Sequence, residues 1–355
     1  MVNCITPTTP RRMRCTLLIS DLLPPSGSAG ESCRDLRLRL LETLLARGDV
    51  VMHNAPERDA WLCRAFGVAR QRDWPVAPLT LAADGIAPEH YYWLRADPVE
   101  LRLIRNQLVL AGSVGDLDAN ESRDLITALN RHFARDGIAL RAPFPQRWYL
   151  RVDRAPGIAT TPLANAVNHD IARHLPLGEA ALDWHRVMNE AQMVLHEHAV
   201  NEAREARGAA SANSIWLWGG GTVPAVSRAP YQSVWSEDAL ARSLAAAAGI
   251  AQHPLPGGGA AWLTTAAAAG DNHLLVFNQL SDALRAGGVT AWCEEAAMLE
   301  RNWIAPLLPA LRGGKISALT LAASNADVLL EATVTPITWW RLWRHKRPLA
   351  GHTVA

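Results

Sequence analysis

The chain reads as an α/β protein with a mainly parallel sheet and an inserted α+β domain, and three observations predict it. Short apolar runs alternate with amphipathic stretches near both ends of the sequence, the pattern of strands and covering helices. The middle changes texture to strands and turns. The length, 355 residues, is about twice that of one ordinary domain, which suits a core carrying an insertion. Apolar residues make up 49% and charged residues 19%, enough for a sizeable core and too little charge for disorder. Lys plus Arg number 35 against 34 Asp plus Glu, so the whole-chain field is near zero and a nucleic acid partner is not expected.

Cys4, Cys15, Cys33, Cys63 and Cys293 are odd in number and scattered, which argues against a disulfide framework or a zinc knuckle. They read as reduced thiols. No apolar stretch has the length of a membrane span or a signal peptide, so a cytoplasmic protein is expected.

In order, CTLLISDLL reads as a buried strand ending at Asp21, followed by a PPSGSAG loop. CRDLRLRLLETLLARG places Leu36, Leu40, Leu41, Leu44 and Leu45 at helical spacing and closes on Gly48. A second helix carries Trp61, Leu62 and Phe66, and the proline-punctuated WPVAPLTLAADG reads as a short strand. From about Gly85, HYYWLRADPVEL and NQLVLAG read as strands, ESRDLITALNRHFARDG as a helix, and IALRAPFPQRWYLRVD as a hairpin-like pair. One helix is read from Asp183 to Arg207, ending at Gly208. SIWLWGGG then reads as a buried strand running into a glycine loop. The remainder alternates: SVWS, an alanine-rich helix, HLLVFNQL, a helix from Thr290 to Leu311, ISALTLA, DVLLEATV, and a terminal helix over ITWWRLWRHKR. The resulting division is a core over 14–84 and 214–355 with an α+β insertion at 85–213.

On the Asp183–Arg207 wheel, Trp184, Val187, Met188, Ala191, Val194, Leu195 and His198 form the stripe that buries. Asn189, Met193, His196, Val200, Arg204 and Arg207 form the opposite column. That column reads either as a solvated face or as the polar wall of an anion pocket, since arginine forks match carboxylate and phosphate geometry. His196 and His198, two apart on a helix, point about 200° away from each other and do not share a metal ion. Gly219–Gly221 lacks the spacing of a nucleotide loop and reads as a place of close backbone approach.

HEHAVNEAREARGAASANSIWLWGGG resembles a segment of the archaeal-type, bisphosphoglycerate-independent phosphoglycerate mutases. His198, Asn201, Arg204, Gly208, Asn213, Trp216, Trp218, Gly219 and Gly221 match its pattern, and Ala199 and Ala209 to Ala212 depart from it where prolines are usual. YYWLRADPVEL, LNRHFARDG, RWYL and NEAQMVLHEHAVNEAR resemble the bacterial RpfE-type regulatory proteins, relatives of those mutases. The resemblance implies a three-layer, alkaline-phosphatase-like α/β core. In the mutases such a core holds two divalent metals beside a Ser nucleophile. Asp21 stands at the first ligand position and Asp282 at a later one, while Asn278 replaces a His, Arg285 or Ala286 replaces a second His, and Ala322, Ala323 and Ser324 replace an Asp-His-Ser run. No G-S-D-like nucleophile segment occurs between 24 and 85.

Two adjacent divalent ions need several carboxylate and imidazole ligands. Asp21 and Asp282 alone do not supply them, so these are vestigial candidates, no metal or cofactor is expected, and no catalytic residue is assigned. No Ser or Cys sits in a recognisable nucleophile motif. Arg95 and Asp97 share one strand face, and Arg95 resembles an arginine of the mutases that faces substrate; the pair also reads as a structural salt bridge. Trp339, Trp340 and Trp343, interleaved with Arg341, Arg344, Lys346 and Arg347, could lie on a membrane or meet a partner. With 14 tryptophans spread over the chain, core packing is the expected outcome and membrane contact is not. The expectation is a cytoplasmic, regulatory, non-catalytic homologue of the mutases, a pseudoenzyme. It would bind a phosphorylated or carboxylate metabolite through Arg95, Asp97, Asn189, His196, Asn201, Arg204 and Asn213, or dock a protein. The alternative is an active mutase or phosphatase with a rearranged metal site.

Overall fold

In chain order the strands are β1 (Met13–Ile19), β2 (Asp49–His53), β3 (Tyr92–Ile104), β4 (Gln107–Ser113), β5 (Ala139–Phe144), β6 (Arg147–Val152), β7 (Ile158–Ala159), β8 (Leu177–Gly178), β9 (Ser214–Gly221), β10 (Ser233–Trp235), β11 (Ala251–His253), β12 (Asn272–Phe277), β13 (Ile316–Ser324) and β14 (Leu329–Val334). The computed structural model describes residues 12–23, 36–53, 57–325 and 328–349. The PPSGSAG loop, Cys4 and Cys33 lie outside the described residues, as does part of the 24–85 stretch searched for a nucleophile. The chain divides into two compact units, Met1–Phe66 with Ser227–Ala355, and Gly67–Val226.

The first unit is built on a seven-stranded sheet in the order β11-β10-β12-β1-β13-β14-β2. The first five of these strands are mutually parallel, and β14 runs antiparallel to both β13 and β2. Leu17, Leu18 and Ile19 of β1 are fully buried, as a strand in the middle of a doubly covered parallel sheet requires. Leu17, Ile19 and Phe277 pack with Leu41, Leu44, Trp262, Trp292, Trp303 and Leu307 in one apolar cluster. Outside that cluster Leu18, Leu274, Val276, Leu62 and Leu244 are buried too, so both faces of the sheet are covered. The three-layer α/β core is therefore as the sequence predicts. The Arg39–Arg47 helix has no side-chain cap of its own. Glu300, from a π-turn distant in sequence, accepts the Leu40 and Leu41 N–H groups at 2.9 Å each and satisfies those orphan donors.

The second unit is an antiparallel sheet, β4-β3-β6-β5, with β9 also paired to β3. The 13-residue β3 is its spine: β6 pairs with its start, β9 with Trp93–Val99 and β4 with Val99–Ile104. The Ala119–His132 helix starts on a capping box, Asp118 accepting from Asn120 and Glu121 N–H while Glu121 accepts from Asp118 N–H. The units divide at 66/67 and 226/227, where the sequence reading placed 84/85 and 213/214. SIWLWGGG accordingly pairs antiparallel with β3 and is not a strand of the parallel sheet.

Besides β2, which the sequence reading lacks, and the expected Thr290–Leu311 helix, which is Gln279–Leu299 kinked at Gly288, a π-turn and Ala305–Arg312, three elements differ from the sequence reading for local reasons. WPVAPLTLAADG forms a helix over Val76–Ala83, buried on almost every side, so it shows no helical period; Pro78 is tolerated in the first turn, where no N–H is needed. The expected helix from 183 to 207 is two, Ala181–His196 and Ala199–Ala206, because His198 caps the second through Nδ1, accepting from Val200 N–H at 3.2 Å. The terminal helix is a 3₁₀ turn over Thr338–Trp340, where mutual Thr335 and Thr338 bonds compete with helix continuation.

Candidate functional site

In open α/β sheets, ligand crevices form outside the carboxyl ends of the parallel strands. In the first unit those ends supply Ser20 and Asp21 after β1, Ser236 and Asp238 after β10, Asn278 after β12 and Ser324 at the end of β13. Asp21 has a left-handed backbone (φ 54°), which turns the chain sharply out of the strand. Its carboxylate accepts from Ser281 Oγ at 2.5 Å and its carbonyl from Trp292 Nε1 at 2.6 Å. Asp282, one residue from Ser281, points out and pairs with Arg285 at 2.5 Å. The structure therefore brings Asp21 to residue 281 and leaves the Asp282 side chain outside.

Arg58, which the sequence reading missed, is the cation of this edge. Its Nε and Nη2 donate to Asp59 Oδ1 at 2.9 and 2.7 Å, and its Nη1 donates to Asp238 Oδ2 at 2.7 Å and Asn278 Oδ1 at 2.9 Å. Asp238 also accepts from Asn278 Nδ2 at 3.0 Å and Ala241 N–H at 2.9 Å. Burial pushes the Asp238 carboxyl up, but the Arg58 guanidinium and the amide donors outweigh it and hold the group below its ordinary value. Burial likewise opposes charge on Arg58, and Asp238 and Asp59 outweigh it, raising its pKa. Arg58 meets partners 180 and 220 residues away, so no local motif announces it. Asp238, which the sequence reading also missed, caps the Ala239–Ala247 helix, and an Asp ahead of an alanine-rich run is the local signal that marks it.

The mutase resemblance implies divalent ions at such an edge. Among the described residues no group of three or more His, Cys, Asp or Glu side chains is placed to hold one. Each carboxylate at the edge has a protein donor instead: Ser281 for Asp21, Arg58 for Asp59 and Asp238, Arg285 for Asp282. The described side chains do not fit a two-ion centre.

In the second unit Arg95 and Asp97 lie on one face of β3, as alternation predicts. Asp97 accepts from Arg95 Nη2 and from Trp218 Nε1, the latter at 2.8 Å. The Arg95 guanidinium carbon lies 5.2 Å from the ring centres of both Tyr149 and Trp218. Tyr149 in turn donates to Asp84 at 2.6 Å, and Arg147 pairs with Asp84 at 3.0 Å. Arg95 is 9% exposed and its Nε has no hydrogen-bond partner. Burial opposes its charge, and Asp97 outweighs burial, so its pKa is raised. A charged, buried guanidinium with an open donor calls for an anionic acceptor; Arg151, half-buried over the Tyr91 ring, also has an unpaired Nε, and Arg95 is the more deeply buried of the two.

The other sequence candidates are dispersed. Arg204 is fully buried, its Nε donating to Ala210 O and its Nη atoms to Glu121 and Asp116. Asn201 ties Leu195 O to the Ala212 backbone. Asn213 accepts from Leu101 N–H at 2.8 Å and donates to Leu101 O at 3.0 Å, completing the ladder at the β3 bulge between Glu100 and Leu101. Asn189 and His196 are exposed. The break at 197–198 dissolves the helical column that grouped them with Arg204. Gly219–Gly221 is a place of close packing: a Cβ on Gly220 would meet Tyr92 Oη at 2.6 Å, and one on Gly221 would meet Pro75 Cβ at 2.5 Å.

Fold and edge together define an α/β protein with a largely parallel, doubly covered sheet and an antiparallel second unit. No protein-family model matches the chain. It is 34% identical over 133 residues to the probable 2,3-bisphosphoglycerate-independent phosphoglycerate mutase of Geobacter sulfurreducens, covering 37% of this chain and 33% of that protein. It is 29% identical over 166 residues to the 2,3-bisphosphoglycerate-independent phosphoglycerate mutase of Methanothrix thermoacetophila, covering 42% of each. The PH0037 protein of Pyrococcus horikoshii has the same fold, with a TM-score of 0.55 at 15% identity over 92% of this chain and 88% of that one. The chain is homologous to these mutases at modest identity, and the match spans 33% to 42% of their length. This corrects the expectation of a non-catalytic regulator: that expectation rested on missing motif residues, whereas the curated proteins the chain matches are mutases by name. No helix among the described residues is long and apolar enough to cross a membrane.

Proposed function

We propose that the chain acts on a phosphorylated hydroxy acid of the phosphoglycerate type, as a mutase-like phosphoryl-transfer protein, and that Arg95 holds an anionic oxygen of that substrate. The observation that carries this is the Arg95 guanidinium, buried between two rings and one carboxylate with its Nε unpaired. Asp97 and the rings fix the guanidinium plane, so an arriving carboxylate or phosphate oxygen meets a donor already oriented and desolvated. The named relatives support the substrate class. The likeness over YYWLRADPVEL and LNRHFARDG supports a kinship with the RpfE-type sequences within that homology. The buried free thiols of Cys15 and Cys63 support a cytoplasmic site of action.

The test is titration calorimetry and turnover with 3-phosphoglycerate, with and without manganese, on the wild type and Arg95→Leu. Binding by the wild type and a loss of about tenfold or more in Arg95→Leu is the expected result, from the worth of a charged hydrogen bond. Neither binding nor turnover by the wild type overturns the reading.

A further inference from the structure

We propose that the Ile337–Arg347 segment is a peripheral contact for an anionic lipid surface. The segment is pinned at both ends: Trp339 and Leu349 are buried in the core of the first unit. Arg47 and Arg312 lie over the Trp339 ring at 4.2 and 5.8 Å. Arg341 pairs with Asp49, and Arg344 Nη1 donates to Gly48 O at 2.7 Å. The apolar side chains just before and between the anchors are turned out. Ile337 is 83% exposed, Trp340 64%, Leu342 65% and Trp343 73%.

Exposing two tryptophans, a leucine and an isoleucine on a fixed support costs apolar surface that water does not reward, so the cluster implies an occupant. Its chemistry is set by what surrounds it. His345, Lys346 and Arg347 fall within the same short stretch beside Arg344, no acidic residue lies between Glu331 and Arg347 in the sequence, and the Asp49 carboxylate next to the segment is taken up by Arg341. Indole rings favour the headgroup layer of a bilayer, where an apolar body and a polar N–H are both satisfied. Arginine and lysine beside them complement anionic headgroups. A protein partner meeting this stretch would have to match four apolar groups and the interspersed cations one by one. A lipid surface matches them collectively, and its acyl boundary takes the side chains without specific pockets.

Purified full-length protein is floated with vesicles of phosphatidylcholine alone or mixed with phosphatidylserine. The wild type, a Trp340→Ser/Trp343→Ser variant and a Lys346→Ala/Arg347→Ala variant are compared. All four positions are exposed, and thermal melting confirms that the variants remain folded. The expected result is partition onto the mixed vesicles only, weakened by salt, lost in the tryptophan variant and reduced about fivefold per cation removed in the basic one. Equal partition onto both vesicles, partition onto neither, or variants that bind like the wild type overturns the proposal. A wild-type dimer that the tryptophan variant splits into monomers also overturns it, assigning the surface to a second copy of this chain.

Discussion

Arg204→Ala removes a guanidinium that is wholly buried and bonded on three sides. The Asp116 contact contributes little, because that carboxylate is 63% exposed and water replaces the arginine, about 1 kcal/mol at most. The Ala210 carbonyl loses its donor inside the fold, which costs about 1–3 kcal/mol. Glu121 is 12% exposed; it keeps Arg207 and the Asp118 N–H but loses its only fully buried partner. Breaking a buried pair on one side costs about 3–5 kcal/mol in total, and we expect the lower end because Arg207 remains. For a unit of this size that is a fall of about 6–12 °C in melting temperature. Burial pushes the Glu121 carboxyl up, while Arg207, the Asp118 N–H and Arg204 outweigh it and hold it below its ordinary value. A carboxylate with a lowered folded pKa stabilises above its unfolded value of about 4.3 and loses that contribution as pH falls through the folded one. The gap between wild type and variant therefore narrows in acid. Scanning fluorimetry from pH 3 to 7, paired with phosphoglycerate calorimetry at neutral pH, measures both. A variant melting within about 2 °C of the wild type while losing tenfold in affinity would refute the structural reading and return Arg204 to the ligand.

Three further outcomes are expected. Gly220→Ala drives a Cβ into Tyr92 Oη and Leu94 Cδ2 (2.6 and 2.8 Å) and lowers stability by about 1–3 kcal/mol in urea melts. Arg58→Leu strands the buried Asp238 carboxylate, so the variant is destabilised near neutrality by about 3–5 kcal/mol. Burial then dominates and raises the Asp238 pKa, so this variant, unlike the wild type, gains stability relative to neutral pH on mild acidification, read from melts at pH 4 to 7. His273 is buried, its ring contacting Gly270 O at 3.0 Å and accepting from Trp235 Nε1 at 3.3 Å, and burial holds its pKa below the ordinary value. A neutral histidine of this kind stabilises above about pH 6.5 and loses that contribution as pH falls below it through the folded pKa. A His273→Gln variant flattens that part of the pH–melting curve, and an unchanged curve removes the assignment.

The parallel sheet was legible because its strands are continuous apolar runs, and Leu17–Ile19 or Leu274–Phe277 read as nothing else. The partition into units was less so. SIWLWGGG is as apolar as a core strand, and only its pairing to β3 reveals which sheet owns it. The Val76–Ala83 helix was hidden by the same apolar uniformity, since a helix buried all round loses its period. Of the candidate site, the Arg95–Asp97 ion pair was legible because its spacing is local: the two sit two apart on one strand face. The Arg58 cluster joins three separate segments, and no sequence window contains it.

What separates the half-buried Arg58 from the buried Arg204 and Arg95 is how their donors are spent. Arg58 has its Nε and both Nη nitrogens committed to two carboxylates and an amide. Arg204 likewise meets a carbonyl and two carboxylates. Each is thus a structural cation whose charge is neutralised inside the protein, and an incoming anion would have to displace an existing partner. Arg95 differs: one carboxylate takes Nη2, two rings cover the guanidinium, and Nε is left buried without an acceptor. Leaving such a donor unpaired costs about 1–3 kcal/mol, a cost an anionic ligand would relieve on binding. All three look alike as letters in a sequence. Only the acceptor count around each guanidinium separates Arg95 from Arg58 and Arg204, and Arg151, over the Tyr91 ring, shares its buried, unpaired Nε.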